Sequence, residues 1–460
     1  MRDHVLLHVN GTAIRAGAAE AFQTLSRFLR YTRAATGTKI VCEEGDCGAC
    51  TVLIGRPGGD GKLRYGAVNS CIQFVFQMDG AHVVTVEGLA PRGELAPVQE
   101  AMVRCHGAQC GYCTPGFVVA LAGMIEDGEQ NPRNAITGNL CRCTGYEPIV
   151  KAGCDALNAQ RPMEERYPSG PIVEAYANDA VRIGNFYKPT TIEEAVRFKA
   201  EHPQCVIVQG GTDFGVWCNK RNYVPEAILS LDGIEGLDGI AMEDHELLVG
   251  GRVTLAEFER TIRDAVPETA EILDRFGSPQ IKNAGTLAGN IANASPIADT
   301  LPFLFVTGAK LELTGMNGVR TVAIANFYKG YKTLDLRPDE IITRIRIPLP
   351  QDGETLRLYK VSQRSHLDIA TFTAAMLMRR TDGRIDAMRV AYGGVGPVVL
   401  RLAQTEEFLK GKPPTVETFT RAGEIAKSEI APISDVRGSR EYRLQLAENA
   451  MCKFYYDACT

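Results

Sequence analysis

Residues Cys42–Gly55 read CEEGDCGACTVLIG: three cysteines within nine residues, glycines between them, then a β-prone apolar run. Cys42-x4-Cys47-x2-Cys50, with Cys71 further on, fits the C-x4-C-x2-C…C spacing of a plant-type [2Fe–2S] site. Four thiolates must converge on a small anionic cluster, so three come from one wrapping loop. Gly45 and Gly48 let that loop bend tightly and bring amide N–H groups toward the sulfur. The bland alternative is a set of free cysteines in a β-domain. The rival metal is structural zinc, but zinc motifs pair short-spaced Cys or His couples and no histidine lies in this loop.

The rest of the chain supports a metal reading. Fourteen cysteines are present, ten of them before residue 155. A disulfide scaffold would be small and secreted, whereas clustered thiols in a reducing compartment indicate metal. At 460 residues with 45% hydrophobic and 23% charged side chains, several domains are expected. The formal charge of −5 argues against nucleic acid as the main partner. The start, MRDHVLLHVNGTAI, lacks the features of a signal peptide. The apolar run Phe117–Ile125 is too short for a bilayer, which needs about 20 residues. The expectation is a soluble, cytoplasmic protein with no membrane contact.

Val5–Val9, Thr12–Arg15, Thr51–Ile54 and Val83–Val86 alternate as strands, Asn10-Gly11 marks a hairpin turn, and Leu25–Tyr31 is helical. From Pro97 helices take over, in VQEAMVRC, GFVVALAGMIEDG and EPIVKAGCDALN. Arg161–Ala180, with three prolines and no period, reads as an exposed linker. Strands and helices then alternate, with Thr191-x-x-Glu194 and Thr254-x-x-Glu257 as capping boxes. A last segment begins after Leu349. The expected division is 1–90, 91–160, a linker 161–180, 181–349 and 350–460.

A second group, CHGAQCGYCTPGF and NLCRCTGYEPI, offers Cys105, Cys110, Cys113, Cys141 and Cys143 for a site that needs four. Cys105-x4-Cys110-x2-Cys113 repeats the first spacing, so spacing leaves either Cys105 or Cys143 as the spare. Pairing Cys110-x2-Cys113 with Cys141-x-Cys143 takes two ligands from each of two turns and leaves Cys105 in an apolar helical stripe.

CEEGDCGACTVLI, CGYCTPG and GNLCRCTGY together resemble the iron–sulfur portion of the molybdenum hydroxylases, the xanthine dehydrogenase and aldehyde oxidase family. The resemblance implies an α+β multidomain chain. Its parts are a β-grasp plant-type ferredoxin domain, a four-helix-bundle [2Fe–2S] domain, a vanillyl-alcohol-oxidase-like α+β FAD domain and an α+β C-terminal domain. It implies Cys42, Cys47, Cys50 and Cys71 as ligands of one cluster and Cys110, Cys113, Cys141 and Cys143 as ligands of the other, with Cys105 excluded. Gln109 matches the family glutamine beside a molybdopterin held on the molybdenum domain.

VIVQGGTDFGVW is a strand followed by a Gly-Gly turn whose bare backbone could approach a diphosphate; it is not the GxGxxG of a nicotinamide site. IKNAGTLAGNIANASPIADTLP is dense in small residues, as backbone packed on something flat or charged would be. By the same resemblance, Val208, Gln209, Gly210, Gly211, Thr212, Asp213 and Phe214 form an FAD diphosphate loop. Phe276, Thr286, Gly289, Asn290, Asp299, Ile342 and Lys360 match further flavin contacts, and Tyr331 an aromatic near the flavin. One stretch departs from the family. Where its xanthine dehydrogenases carry an acidic run, this chain has Gln363-Arg364-Ser365-His366-Leu367-Asp368.

The resemblance implies the small subunit of a bacterial xanthine dehydrogenase, with the molybdopterin on a large partner subunit and a dimer of such two-chain units. Electrons would pass from the partner through two [2Fe–2S] clusters to FAD and then NAD. No catalytic acid or base is expected on this chain. The alternatives are the small subunit of another molybdenum hydroxylase and a stand-alone iron–sulfur flavoprotein.

Overall fold

In the computed structural model, which describes residues 1–460 except Arg92, Gln160 and Ala177, the N-terminal alternation becomes a mixed five-stranded sheet. Its strands are β1 (Val5–Val9), β2 (Thr12–Ala16), β3 (Thr51–Pro57), β4 (Leu63–Asn69) and β5 (Ala81–Val84), in the order β2-β1-β5-β3-β4. Asn10 and Gly11 both take positive φ, 49° and 82°. That is what a two-residue hairpin turn between right-twisted strands requires. The expected helix from Leu25 is one short turn, Leu25–Arg27, continued by a π-helical turn, Phe28–Thr32. Leu25, Phe28 and Leu29 are fully buried under the sheet.

The sheet belongs to the first of two compact units, Met1–Glu235 with Ser278–Gly285; the second is Gly236–Gly277 with Thr286–Thr460. In the first unit, helices Pro97–Arg104, Thr114–Glu126, Pro132–Ala135 and Glu147–Ala156 follow the sheet. Thr114–Glu126 is buried without a break from Gly116 to Met124. An apolar run too short for a bilayer is here a core helix packed on β3 and β4, and among the described residues no helix is long and apolar enough to cross a membrane.

The exposed-linker reading of Arg161–Ala180 is corrected. The segment folds into two short helices, Met163–Arg166 and Ser169–Glu174, and buries Met163, Tyr167 and Ile172 in the same core as the four helices. Tyr167 donates to the Gly88 carbonyl at 2.8 Å and Tyr176 to the Ala81 carbonyl at 2.6 Å. Prolines cut the segment into pieces too short to show a period, although its apolar residues are anchors. A small sheet of Val181–Ile183, Phe186–Lys188, Ile228–Leu229 and Val206–Ile207 completes the unit.

The second unit holds a five-stranded antiparallel sheet (Ile240–Glu243, Glu246–Gly250, Ile341–Pro348, Lys310–Gly315, Gly318–Ala323) and a four-stranded one (Glu354–Val361, Phe372–Thr381, Arg384–Gly393, Leu400–Arg401). Helices Ala403–Leu409, Val416–Ser428 and Arg440–Ala458 pack on the latter around Phe419, Met451 and Phe454. Thr254 and Glu257 form the expected reciprocal capping box. At the other site Thr191 accepts from the Glu194 N–H, but the Glu194 carboxylate reaches Thr190 instead.

Candidate metal and flavin centres

The loop from Cys42 to Cys50 is shaped by three left-handed residues, Glu43, Gly45 and Gly48. It brings the Cys42 thiol against Cys47 and Cys71, and Cys50 against Cys71. Cys50 and Cys71 are 2% and 1% exposed; Cys42 and Cys47 are half-buried. Backbone amides are aimed at sulfur: those of Glu44 and Cys47 at Cys42, that of Ala49 at Cys47 and that of Cys71 at Cys50. Donation from the Cys47 and Cys71 thiols, then from these amides, holds Cys42 far below the usual thiol range. The donors Cys47 and Cys71 are correspondingly pushed up. A loop that stabilises sulfur anions with amides suits thiolate ligands.

Three amide side chains that spacing did not point to hold this loop. Asn219, on helix Phe214–Arg221, donates to the carbonyls of Glu43 at 2.9 Å and Cys71 at 2.8 Å, tying the two ends of the ligand set together. Asn69 donates to the Gly45 carbonyl at 2.7 Å. Asn139 donates to the Gly48 carbonyl at 3.0 Å.

The second group meets in pairs. Cys113 contacts Cys141 and Cys110 contacts Cys143. Burial, then the neighbouring Cys141, pushes Cys113 up to about 12. Burial opposes ionisation of Cys141 as well, but the Thr144 hydroxyl and amide outweigh it and draw that thiol down. Cys105 stands apart: at the end of its helix its Sγ donates to Asp155 Oδ2 at 3.3 Å. It sits at the edge of the core rather than within it, half-buried. The geometry therefore separates Cys105 from the four thiols that spacing alone could not rank.

Among the described residues no three His, Cys, Asp or Glu side chains are arranged to hold one metal ion. Thiols meeting two by two are what a binuclear cluster asks for, since each iron takes two cysteines. The second quartet fits a [2Fe–2S] cluster on this ground; the first fits one because a single run of contacts, Cys47–Cys42–Cys71–Cys50, gathers its four thiols. They differ in exposure: Cys110 and Cys143, with Gln109 and Arg142 beside them, are open to solvent.

The flavin candidates fall in both units. In the first, the loop after Val206–Ile207 turns its carbonyls inward: that of Gln209 accepts from Gln77 Nε2 at 3.2 Å and that of Gly210 from Gln73 Nε2 at 2.8 Å. Gly211 is left-handed at φ 68°, and a Cβ on Gly210 would land on the Ala284 carbonyl. The glycine pair is thus demanded by the protein's own packing as well as by any diphosphate. Val208 and Phe214 are buried, Asp213 begins helix Phe214–Arg221, and Thr212 lies half-buried between them. Gln209 keeps its Oε1 buried with no partner.

In the second unit Thr286 caps helix Leu287–Ala292 by accepting from the Gly289 N–H at 3.0 Å, and Asn290 Oδ1 accepts from Thr300 Oγ1 at 2.6 Å. Asp299 and Lys360 form a buried ion pair at 2.7 Å, their side chains 6% and 1% exposed. Lys360 also donates to the Arg275 carbonyl at 3.0 Å. Burial raises Asp299 to about 6 against the pull of Lys360. Its second oxygen, Oδ1, is buried and unpartnered. A buried carboxylate oxygen without a donor is costly, and a bound molecule offering an N–H or O–H group would relieve it, so these residues fit a flavin. Ile342 is buried, Phe276 is half-buried and Tyr331 is 64% exposed. In the departing loop, Asp368 accepts from the amides of Gln363 and Arg364 at 2.9 and 3.0 Å. The one acid there closes the loop, while Arg364 and His366 are exposed.

Three family models match in chain order: a [2Fe–2S] binding domain over residues 85–154, the FAD binding domain in molybdopterin dehydrogenase over 180–350, and the CO dehydrogenase flavoprotein C-terminal domain over 357–458. Xanthine dehydrogenase of Oryza sativa subsp. japonica is 27% identical over 98% of this chain and 39% of its own length. Among solved structures, reconstituted CO dehydrogenase from Oligotropha carboxidovorans aligns with a TM-score of 0.56 at 27% identity, over 58% of this chain and 95% of that one. Quinoline 2-oxidoreductase from Pseudomonas putida 86 aligns with a TM-score of 0.56 at 27% identity, over 60% of this chain and 97% of that one. Fold and matches together define an iron–sulfur flavoprotein. More narrowly, its iron–sulfur and FAD domains are similar to those of the molybdenum hydroxylases and stand in the same order. It spans about two-fifths of the length of the xanthine dehydrogenase that it matches.

Proposed function

We propose that this chain is the electron-transfer subunit of a cytoplasmic xanthine dehydrogenase. In this reading it takes electrons from a molybdopterin site on a large partner subunit and passes them through two [2Fe–2S] clusters to FAD and then NAD. Clusters supply one-electron steps and flavin joins one- to two-electron chemistry. Cys42, Cys47, Cys50 and Cys71 hold one cluster; Cys110, Cys113, Cys141 and Cys143 hold the other. Val208–Phe214, with Phe276, Thr286, Gly289, Asn290, Asp299, Tyr331, Ile342 and Lys360, are the proposed flavin contacts. The chain's own work is to aim amides at sulfur, to keep Cys50 and Cys71 from water, and to hold Asp299 against Lys360.

The observation that carries the reading is the pair of separate thiol quartets, each brought together by the fold, ahead of a flavin domain. Their unequal exposure supports a partner at the second quartet, where exposed Tyr112 and Leu140 flank Gln109, Cys110 and Cys143. We propose a dimer of such two-chain units as the assembly. The likeness to quinoline 2-oxidoreductase supports a second reading, a partner that oxidises another N-heterocycle. Low-temperature electron paramagnetic resonance of the dithionite-reduced chain tests the core of both. Two distinct S = 1/2 signals, near one spin each per chain, are expected; a single signal would leave only one cluster and break the relay. Turnover with xanthine against quinoline then separates the two partners.

A further inference from the structure

Both peptide groups flanking Gly48 are held from the region of the second quartet. The Cys47 carbonyl accepts from the Leu140 N–H at 3.0 Å. The Gly48 carbonyl accepts from Asn139 Nδ2 at 3.0 Å, from Thr51 Oγ1 at 2.6 Å and from the Thr51 N–H at 3.1 Å. The backbones are so close that a Cβ on Gly48 would land on the Gly138 carbonyl, and one on Gly116 on the Gly48 carbonyl. A trans peptide points its N–H opposite to its C=O. Pinning the Gly48 carbonyl outward therefore turns the Ala49 N–H inward, to the side of the Cys47 sulfur.

Gln280 stands behind this arrangement. It is 1% exposed, and its Nε2 donates to Asn139 Oδ1 at 2.9 Å and to Thr51 Oγ1 at 3.3 Å. One side chain thus braces both of the side chains that bind the Gly48 carbonyl. Its Oε1 is buried without a partner, and a Cβ on Gly138 would land on that oxygen. The next residue, Ile281, packs against Cys50, Cys71 and Ile72. An unsatisfied buried oxygen is costly, so a leucine or methionine would serve better if the position were only a plug. The amide is kept for its two donors.

Resting on the two-cluster reading above, we propose that Gln280 is a positioning residue that sets the reduction potential of the first cluster relative to the second. It does so by keeping Asn139 and Thr51 on the Gly48 carbonyl and hence the Ala49 N–H on sulfur. Hydrogen bonds to cluster sulfur favour the more negative, reduced state. Removing the brace lowers the first potential, and a single electron shared by the two sites moves toward the second, with the total unchanged.

The test is Gln280→Met in the full chain loaded with both clusters, titrated redox-potentiometrically with the two paramagnetic signals followed separately. The expected result is two signals at wild-type spin counts and a one-electron partition shifted about threefold toward the second site, or about 28 mV at 59 mV per tenfold. An unchanged partition with both clusters present overturns the proposal. If Gln280→Met does not load, Thr51→Val and Thr51→Ser decide: Val, which loses the hydroxyl, shifts the partition and Ser does not. Equal behaviour of Val and Ser overturns the proposal in that case. A wild-type chain lacking two signals would instead fail the cluster reading itself, which keeps the two failures apart.

Discussion

The two thiol quartets use the same number of cysteines in opposite settings. In the first, Cys50 and Cys71 are buried, and Asn69, Asn139 and Asn219 hold the surrounding carbonyls. In the second, Cys110 and Cys143 are open to solvent and Cys113 and Cys141 half-buried. A buried anionic site needs donors from the protein, because water is not there to supply them. An exposed site borrows solvent until something covers it. The difference teaches that the first quartet is built as part of a core and the second as part of a surface.

The sharpest way to break that comparison is to remove one ligand from each. Cys71→Ser is expected to abolish the first paramagnetic signal and to lower the thermal midpoint, since a site packed with Ile72, Val216 and Ile281 is left without its metal. Cys143→Ser is expected to abolish only the second signal and leave the midpoint near wild type. Spin counting with calorimetry checks both. Equal destabilisation would mean that the two quartets are equally structural.

This contrast was only half legible in the sequence. Ligand spacing is local, so Cys42, Cys47 and Cys50 announce themselves on one loop. The supporting amides carry no spacing: Asn219 and Gln280 reach the loop only through the tertiary fold, and an uncharged polar residue in a helix reads as surface. Cys105 shows the limit of spacing from the other side. It repeats the first pattern, yet it caps a helix and faces Asp155. The Gly-Gly turn points to a ligand in the sequence, and the fold adds a second need that the sequence does not show, the crossing of Ala284 over Gly210. Burial of the 161–180 segment was hidden by its prolines, although Met163, Tyr167 and Ile172 among charged neighbours were the signal to follow.

The second unit allows a finer comparison, between a charge pair that is buried and the charges that are not. Lys360→Met leaves Asp299 buried beside no cation. Breaking such a pair from one side costs about 3–5 kcal/mol, to be read as a lower urea midpoint. The same change in exposed Arg364, paired with Asp368 at 3.4 Å, is expected to cost no more than about 1 kcal/mol. Similar losses at both would mean that solvent reaches the Asp299–Lys360 pair.

Acidity probes that pair without cutting it. Asp299 titrates near 6 when folded because burial disfavours its charge, against an ordinary value of about 3.9. Between those values the folded chain holds a proton that the unfolded chain has released. The contribution of Asp299 to stability is therefore fully present below about pH 4 and falls as pH rises toward 6. Comparing wild type with Asp299→Asn removes every other titrating group from the result. The stability difference between them is expected to change by roughly 1–3 kcal/mol from pH 4 to 6.5. A flat difference would mean that Lys360 fully offsets the burial.

The smallest effect on the molecule is expected at the exposed edge of the second quartet. Gln109 is open to solvent, so Gln109→Ala should alter stability by no more than about 0.5 kcal/mol and leave both cluster signals intact. Its effect belongs to the surface reading alone. If that surface meets a molybdopterin-bearing partner, the variant slows reduction by the partner's substrate while NADH-driven dye reduction stays at wild-type rate. A buried quartet could not give this split, because nothing outside the chain reaches Cys50 or Cys71. Equal rates in both assays would leave the exposed thiols without a partner at Gln109, and the contrast between the quartets would then be one of solvation only.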